Sequence, residues 1–91
     1  MSTVRIPPVL RENTGNSRTV EVSGSTVTEA LDDLFTQHPS LRDRVTDDGQ
    51  LSGFINVYVN DRDVRYRDGL ATPIGPDDTI ILLPAMAGGA S

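Results

Sequence analysis

Four consecutive apolar residues, Ile80-Ile81-Leu82-Leu83, lie between an acidic turn sequence, Gly75-Pro76-Asp77-Asp78, and Pro84. Strand side chains point alternately to two faces, so an unbroken apolar run predicts a short buried strand, apolar on both faces. A strand of that kind belongs inside a sheet, and this requirement restricts the fold more than any other feature of the chain. Pro84 has no backbone donor, so regular pairing should weaken there. Beyond Met86 only small side chains follow, Ala87-Gly88-Gly89-Ala90-Ser91. They bury too little to offset the entropy of ordering them. The expected division is a folded domain over 1–86 and a flexible tail over 87–91.

The rest of the chain must build a sheet around that strand. Thr3 to Ile6 alternates Val4 and Ile6 with polar residues, a half-buried strand pattern cut short by Pro7-Pro8. A polar loop containing Asn13-Thr14-Gly15-Asn16 should return the chain as a second strand over Arg18 to Val22, completing a hairpin. Thr26 and Glu29 have capping-box spacing, and Val27, Ala30, Leu31, Leu34 and Phe35 form one apolar stripe at helical period. A helix from Val27 to Gln37 follows, ended by Pro39. Leu41 to Ser52 reads as a polar connection anchored by Leu41, Val45 and Leu51, with a turn at Asp47-Asp48-Gly49. Phe54 to Asn60 alternates cleanly as a strand. Asn60-Asp61-Arg62-Asp63 should turn it, and Val64-Arg65-Tyr66 should return it.

Two hairpins flanking one helix, with a last strand that must enter the sheet interior, give an α+β chain. Its economical layering is a mixed sheet with one main helix packed on one face, the β-grasp arrangement. There the last strand runs parallel to the first in the middle of the sheet. Ile55, Val57, Val59, Ile80 and Leu82 should meet the helix. Phe54, Tyr58, Ile81 and Leu83 share the opposite parity, an apolar cluster expected to dock a partner.

Composition removes several function classes. The chain has no cysteine, which excludes disulfides and thiolate metal sites or nucleophiles. Net charge is −5 and all eight basic residues are arginine, a balance that argues against binding a nucleic-acid backbone or an anionic membrane. No run approaches the roughly 18 apolar residues of a membrane helix, and no basic-then-apolar export pattern opens the sequence, so a soluble cytoplasmic protein is expected. His38, the sole histidine, stands beside Pro39 with no evident metal or triad companion. The pairs Asp32-Asp33, Asp47-Asp48 and Asp77-Asp78 are accounted for by a solvated helix face and two turns. Neither a catalytic set nor a bound cofactor or metal is expected, which leaves a carrier or a binding module.

The ending Gly75-Pro76-Asp77-Asp78-Thr79-Ile80-Ile81-Leu82-Leu83-Pro84-Ala85-Met86-Ala87-Gly88-Gly89 resembles that of the ubiquitin-like sulfur carriers of the ThiS and MoaD group. In that group an acidic turn, an apolar strand, a proline and a diglycine occur in this order. Ile6-Pro7-Pro8-Val9-Leu10-Arg11, the run Phe54 to Asp61 with Asp63-Val64-Arg65, and Gly69-Leu70-Ala71-Thr72 are similar to the cysteine-biosynthesis members of the group. The resemblance implies that Gly89 is adenylated by an E1-like enzyme using ATP, then converted to a thiocarboxylate that supplies sulfur to an acceptor synthase. Gly88 would give the slender tail access to a narrow channel, and Ile81 and Leu83 would help grip the activating enzyme.

One departure bears on this chemistry. Ala90 follows Gly89, so the Gly89 carbonyl is held in an amide and has no carboxylate to activate. Some sulfur carriers that this chain resembles are made as precursors, and the resemblance implies cleavage between Gly89 and Ala90 by a JAMM-type zinc peptidase, releasing Ala90-Ser91. The alternatives are the small subunit of molybdopterin synthase and a ubiquitin-like interaction module without tail chemistry.

Overall fold

The computed structural model describes residues 1–47, 50–51 and 55–84. Strands β1 (Ser2–Arg5) and β2 (Thr19–Val22) precede helices α1 (Val27–Gln37) and α2 (Ser40–Val45). A small antiparallel pair, β3 (Thr46–Asp47) and β4 (Gln50–Leu51), leads on to β5 (Ile55–Val59), β6 (Arg62–Asp63) and β7 (Thr79–Pro84). Five strands form one sheet in the order β2-β1-β7-β5-β6. β7 runs parallel to β1 and antiparallel to β5, so the apolar run does occupy the middle. Its inner face meets the core, which accounts for Ile80 and Leu82, whereas Ile81 and Leu83 on the outer face are only partly covered, so the run is not buried throughout as expected.

The core is built from the expected side chains. Val27, Ala30, Leu31, Leu34 and Phe35 of α1 are buried in one cluster with Ile55, Val57, Val59, Ile80 and Leu82. The helix start differs from a reciprocal capping box in one detail. Thr26 Oγ1 accepts from the Glu29 amide at 3.2 Å, but the Glu29 carboxylate accepts from the amide and hydroxyl of Ser25, not from Thr26. Those bonds lower the Glu29 pKa below its ordinary value. Gly24 makes the approach to this helix possible. Its φ is 147°, and a Cβ there would stand 2.8 Å from the Ala30 nitrogen.

Three local expectations are corrected. The connection between β1 and β2, expected as a compact polar loop, contains a 3-10 segment, Pro8–Thr14, that buries Leu10 and Thr14. Residues 40–45 form a second helix, where a polar connection was expected, and it buries Leu41 and Val45. Both side chains sit one helical turn apart, so they anchor as expected but from a helix. The hairpin after β5 turns earlier than its sequence indicates. Asn60 adopts φ 57° as tight hairpin turns require, Arg62 and Asp63 pair with Val59 and Tyr58, and Val64–Tyr66 is a 3-10 turn rather than a returning strand. Asp48 and Gly49 of the expected turn, and Phe54 at the expected start of β5, lie outside the described residues.

Candidate functional site

The candidate site is β7, with the parts that fix its start and the surface around its end. The turn Gly75–Asp78 closes with the Asp78 amide donating to the Gly75 carbonyl at 3.1 Å. The Asp78 carboxylate accepts from the Gly75 amide at 2.8 Å and from Asn60 Nδ2 at 3.1 Å, which lowers its pKa below the ordinary carboxylate value. Asn60 also binds the first residue of β7 twice, its amide donating to the Thr79 carbonyl and its Oδ1 accepting from the Thr79 amide. Ser2 Oγ donates to the Gly75 carbonyl at 2.9 Å. The acidic residue of the turn is therefore a clamp that ties β7 to the β5 hairpin, and β1 adds a further bond.

The two faces of β7 differ sharply. Ile80 and Leu82 face the core at 0% and 1% exposure. On the other face Ile81 is half-buried and Leu83 is 42% exposed. Register places Tyr58 directly opposite Ile81, and Asn56 opposite Leu83. Three of the four expected docking residues, Tyr58, Ile81 and Leu83, thus share one sheet face; Phe54 lies outside the described residues. Gly88, Gly89 and Ala90, the expected tail and processing positions, also lie outside them.

Two neighbouring features escaped the sequence analysis. Tyr66, 85% exposed, joins Tyr58 and Arg62 in lining a shallow depression at the β6 end of the face. Beside it Asp63 is buried and paired with Arg65 at 2.7 Å, and hydrogen bonds from Arg65 hold its carboxyl below the ordinary range. On the other flank, Arg5, Arg11 and Arg18 border a groove of ≈ 600 Å³ that runs along the end of β7. No local pattern announces this grouping, because the arginines come from β1, the 3-10 segment and the entry to β2.

Among the described acidic residues, Asp32 and Asp77 are exposed, while Asp33 and Asp78 make hydrogen bonds within the fold. Asp33 Oδ2 accepts from the Ser23 amide at 2.9 Å, and Gln37 Nε2 donates to the Glu21 carbonyl at 2.9 Å. Both side chains of α1 thereby satisfy main-chain groups at edge strand β2, so Asp33 is not the purely solvated residue expected. His38 caps α1, its amide donating to the Leu34 carbonyl. Among the described residues no helix is long and apolar enough to cross a membrane.

A mixed five-stranded sheet with α1 on one face and a clamped central β7 defines a β-grasp protein of the ubiquitin-like class. The chain belongs to the ThiS family, whose model matches residues 4–89. Over 90 residues it is 43% identical to the sulfur carrier protein CysO of Mycobacterium tuberculosis, covering 96% of this chain and 97% of that protein. It superposes on the crystal structure of the Amycolatopsis orientalis BexX/CysO complex with a TM-score of 0.89 and 45% identity, covering 98% of this chain and 100% of the matched one. The solution structure of small archaeal modifier protein 1 from Methanosarcina acetivorans is also similar, with a TM-score of 0.87 and 29% identity over 97% of this chain and 95% of that one.

Proposed function

We propose that this chain is a sulfur carrier, itself a substrate rather than an enzyme, and that Gly89 bears the sulfur. The observation that carries the reading is a diglycine placed just past a clamped central strand, in a chain alike over nearly its whole length to the sulfur carrier protein CysO. Peptide cleavage after Gly89 gives a carboxylate, the task assigned to a JAMM-type zinc peptidase. Carboxylate oxygen is a poor leaving group. An E1-like partner therefore joins it to the α-phosphate of ATP, releasing pyrophosphate and forming an acyl-adenylate. A sulfur nucleophile then attacks the carbonyl carbon and AMP departs, leaving a thiocarboxylate. That sulfur passes to an acceptor synthase in making cysteine or another sulfur metabolite.

Each structural part has a place in this sequence. The Asp78–Asn60 clamp holds the strand from which the tail emerges, and glycine at 88 and 89 leaves the carbonyl open to attack. Tyr58, Ile81 and Leu83 supply the apolar surface on which the activating enzyme rests. The BexX/CysO complex supports such docking, since it is a complex of a CysO chain with another protein. ATP belongs to the partner's site. A second reading, a modifier joined to other proteins through the same glycine, is favoured by the likeness to the archaeal modifier protein.

The test is ATP–pyrophosphate exchange with the E1-like enzyme from the chain's own cells. Chain ending at Gly89 should support exchange and chain still carrying Ala90 should not. Equal exchange by both would remove the cleavage step. Carrier and modifier are separated by adding candidate protein acceptors: an isopeptide-linked product supports the second reading.

A further inference from the structure

The arginine groove beside β7 is a consequence of the β1 turn-off. β7 has six residues, but β1 pairs only with Thr79, Ile80 and Ile81 before Pro7 and Pro8 carry the chain away. Leu82, Leu83 and Pro84 therefore pair with β5 on one side and face an open channel on the other. Pro7, Leu83 and Pro84 give this channel apolar walls, and Arg5, Arg11 and Arg18 line it with positive charge. None of the three arginines has a carboxylate within ion-pair distance among the described residues. Arg11 is held in place, since its Nε donates to the Ile6 carbonyl at 3.1 Å.

This is unusual in a chain of net charge −5. Salt screens charges beyond roughly 10 Å, so a ligand in the channel responds to the three nearby arginines and little to distant carboxylates. A long polyanion such as nucleic acid would extend past the groove and meet the acidic remainder. A short acidic segment meets only the complementary part. The open side of Leu82–Pro84 suits an extended backbone, as in strand addition at a sheet edge. The channel also includes Pro84, the residue from which the chain continues toward the diglycine, so a protein that binds the residues after Pro84 is brought near it.

We propose that this groove docks an extended acidic segment of the enzyme that activates the tail. It rests on the carrier reading and adds to it a second contact, charged where the Tyr58–Ile81–Leu83 face is apolar. Ile81 and Leu83 border both surfaces, so one partner can cover the two together. Electrostatic complementarity of this kind chiefly raises the encounter rate and selects the partner.

Two measurements decide it. In the first, nitrogen-15-labelled chain is titrated with a capped hexaglutamate peptide and, separately, with inorganic phosphate. The peptide should shift the Nε–Hε signals of Arg5, Arg11 and Arg18 and the amides of Ile81 to Leu83, leaving Arg42, Arg44 and Arg67 in place. Shifts spread over all eight arginines, or an equal response to phosphate, would overturn docking of an acidic segment. In the second, chain ending at Gly89 is assayed for ATP–pyrophosphate exchange with and without Arg5→Glu/Arg18→Glu. These two side chains are exposed, so the domain should stay folded. KM should rise about tenfold with kcat nearly unchanged, and the variant should lose the salt dependence of the parent. Arg5→Lys/Arg18→Lys should restore most of it. An unchanged KM in the charge-reversed variant overturns the proposal. If chain ending at Gly89 with all its arginines is never adenylated, the carrier reading fails and docking of the activating enzyme fails with it, whereas the peptide titration still decides whether the groove takes an acidic segment.

Discussion

The two faces of β7 carry nearly the same chemistry, an isoleucine and a leucine each, yet they meet opposite surroundings. Ile80 and Leu82 are sealed in the core under α1, while Ile81 is half-buried and Leu83 stays exposed. Residue type cannot distinguish them; the layer packed on each face does. A hydrophobic side chain stabilises the domain only where the fold itself supplies its surroundings. Where the fold supplies none, the same side chain stays open to solvent, as Leu83 does near the end of β7.

The two faces should differ most at Leu82 and Leu83. Leu82→Ala should cost about 2–5 kcal/mol in denaturant unfolding through lost burial and a cavity, whereas Leu83→Ala should stay within about 0.5 kcal/mol. Comparable losses at both sites would mean that the faces are equivalent. Next in size is the effect of charge on the exposed face. Leu83→Asp should leave the domain folded but reduce ATP–pyrophosphate exchange about tenfold or more, as loss of a central apolar contact does at interfaces. Unchanged exchange would remove Leu83 from the docking surface.

A smaller effect is expected at the clamp. Asp78→Ala should cost about 1–2 kcal/mol, because the Gly75 amide and Asn60 lose a charged acceptor. No loss would mean that neighbouring bonds suffice to seat β7. Finally, Asp63 and Asp78 have folded pKa values below their ordinary 3.8, so each binds protons less readily in the folded state. Their stabilisation is present above that value and is lost as pH falls through the depressed folded values. Unfolding followed at successively lower pH should show stability falling in that acid range, and falling less in Asp78→Ala. An identical acid dependence in the variant would exclude Asp78 from the linkage.

Much of this was legible in the sequence because patterns of two kinds agreed. The unbroken run Ile80–Leu83 required an interior strand, and the stripe Val27–Phe35 required a helix of matching length. Together they leave few layer arrangements. Strand period put Ile81 and Leu83 on one face of β7, and the expected sheet arrangement put Tyr58 with them, as the register bears out. Helix α2 was missed because Pro39 reads as a stop signal although it also starts a helix well, and only Leu41 and Val45 carry period in so short a segment. The β5–β6 turn was misplaced because strand pairs of two residues leave almost no alternation to read. The arginine groove was illegible for another reason. It exists only once β1 lies parallel to β7 and leaves it at Pro7, a non-local event with no sequence period.

If the carrier reading holds, Gly89 becomes a thiocarboxylate once freed from Ala90. The direct measurement is the intact mass of chain ending at Gly89 after incubation with its E1-like enzyme, ATP and sulfide. The account predicts a gain equal to the exchange of one oxygen for one sulfur, localised to the C-terminal fragment and absent from chain still carrying Ala90. An unchanged mass in the freed chain, with pyrophosphate release showing the enzyme active on it, would contradict the account.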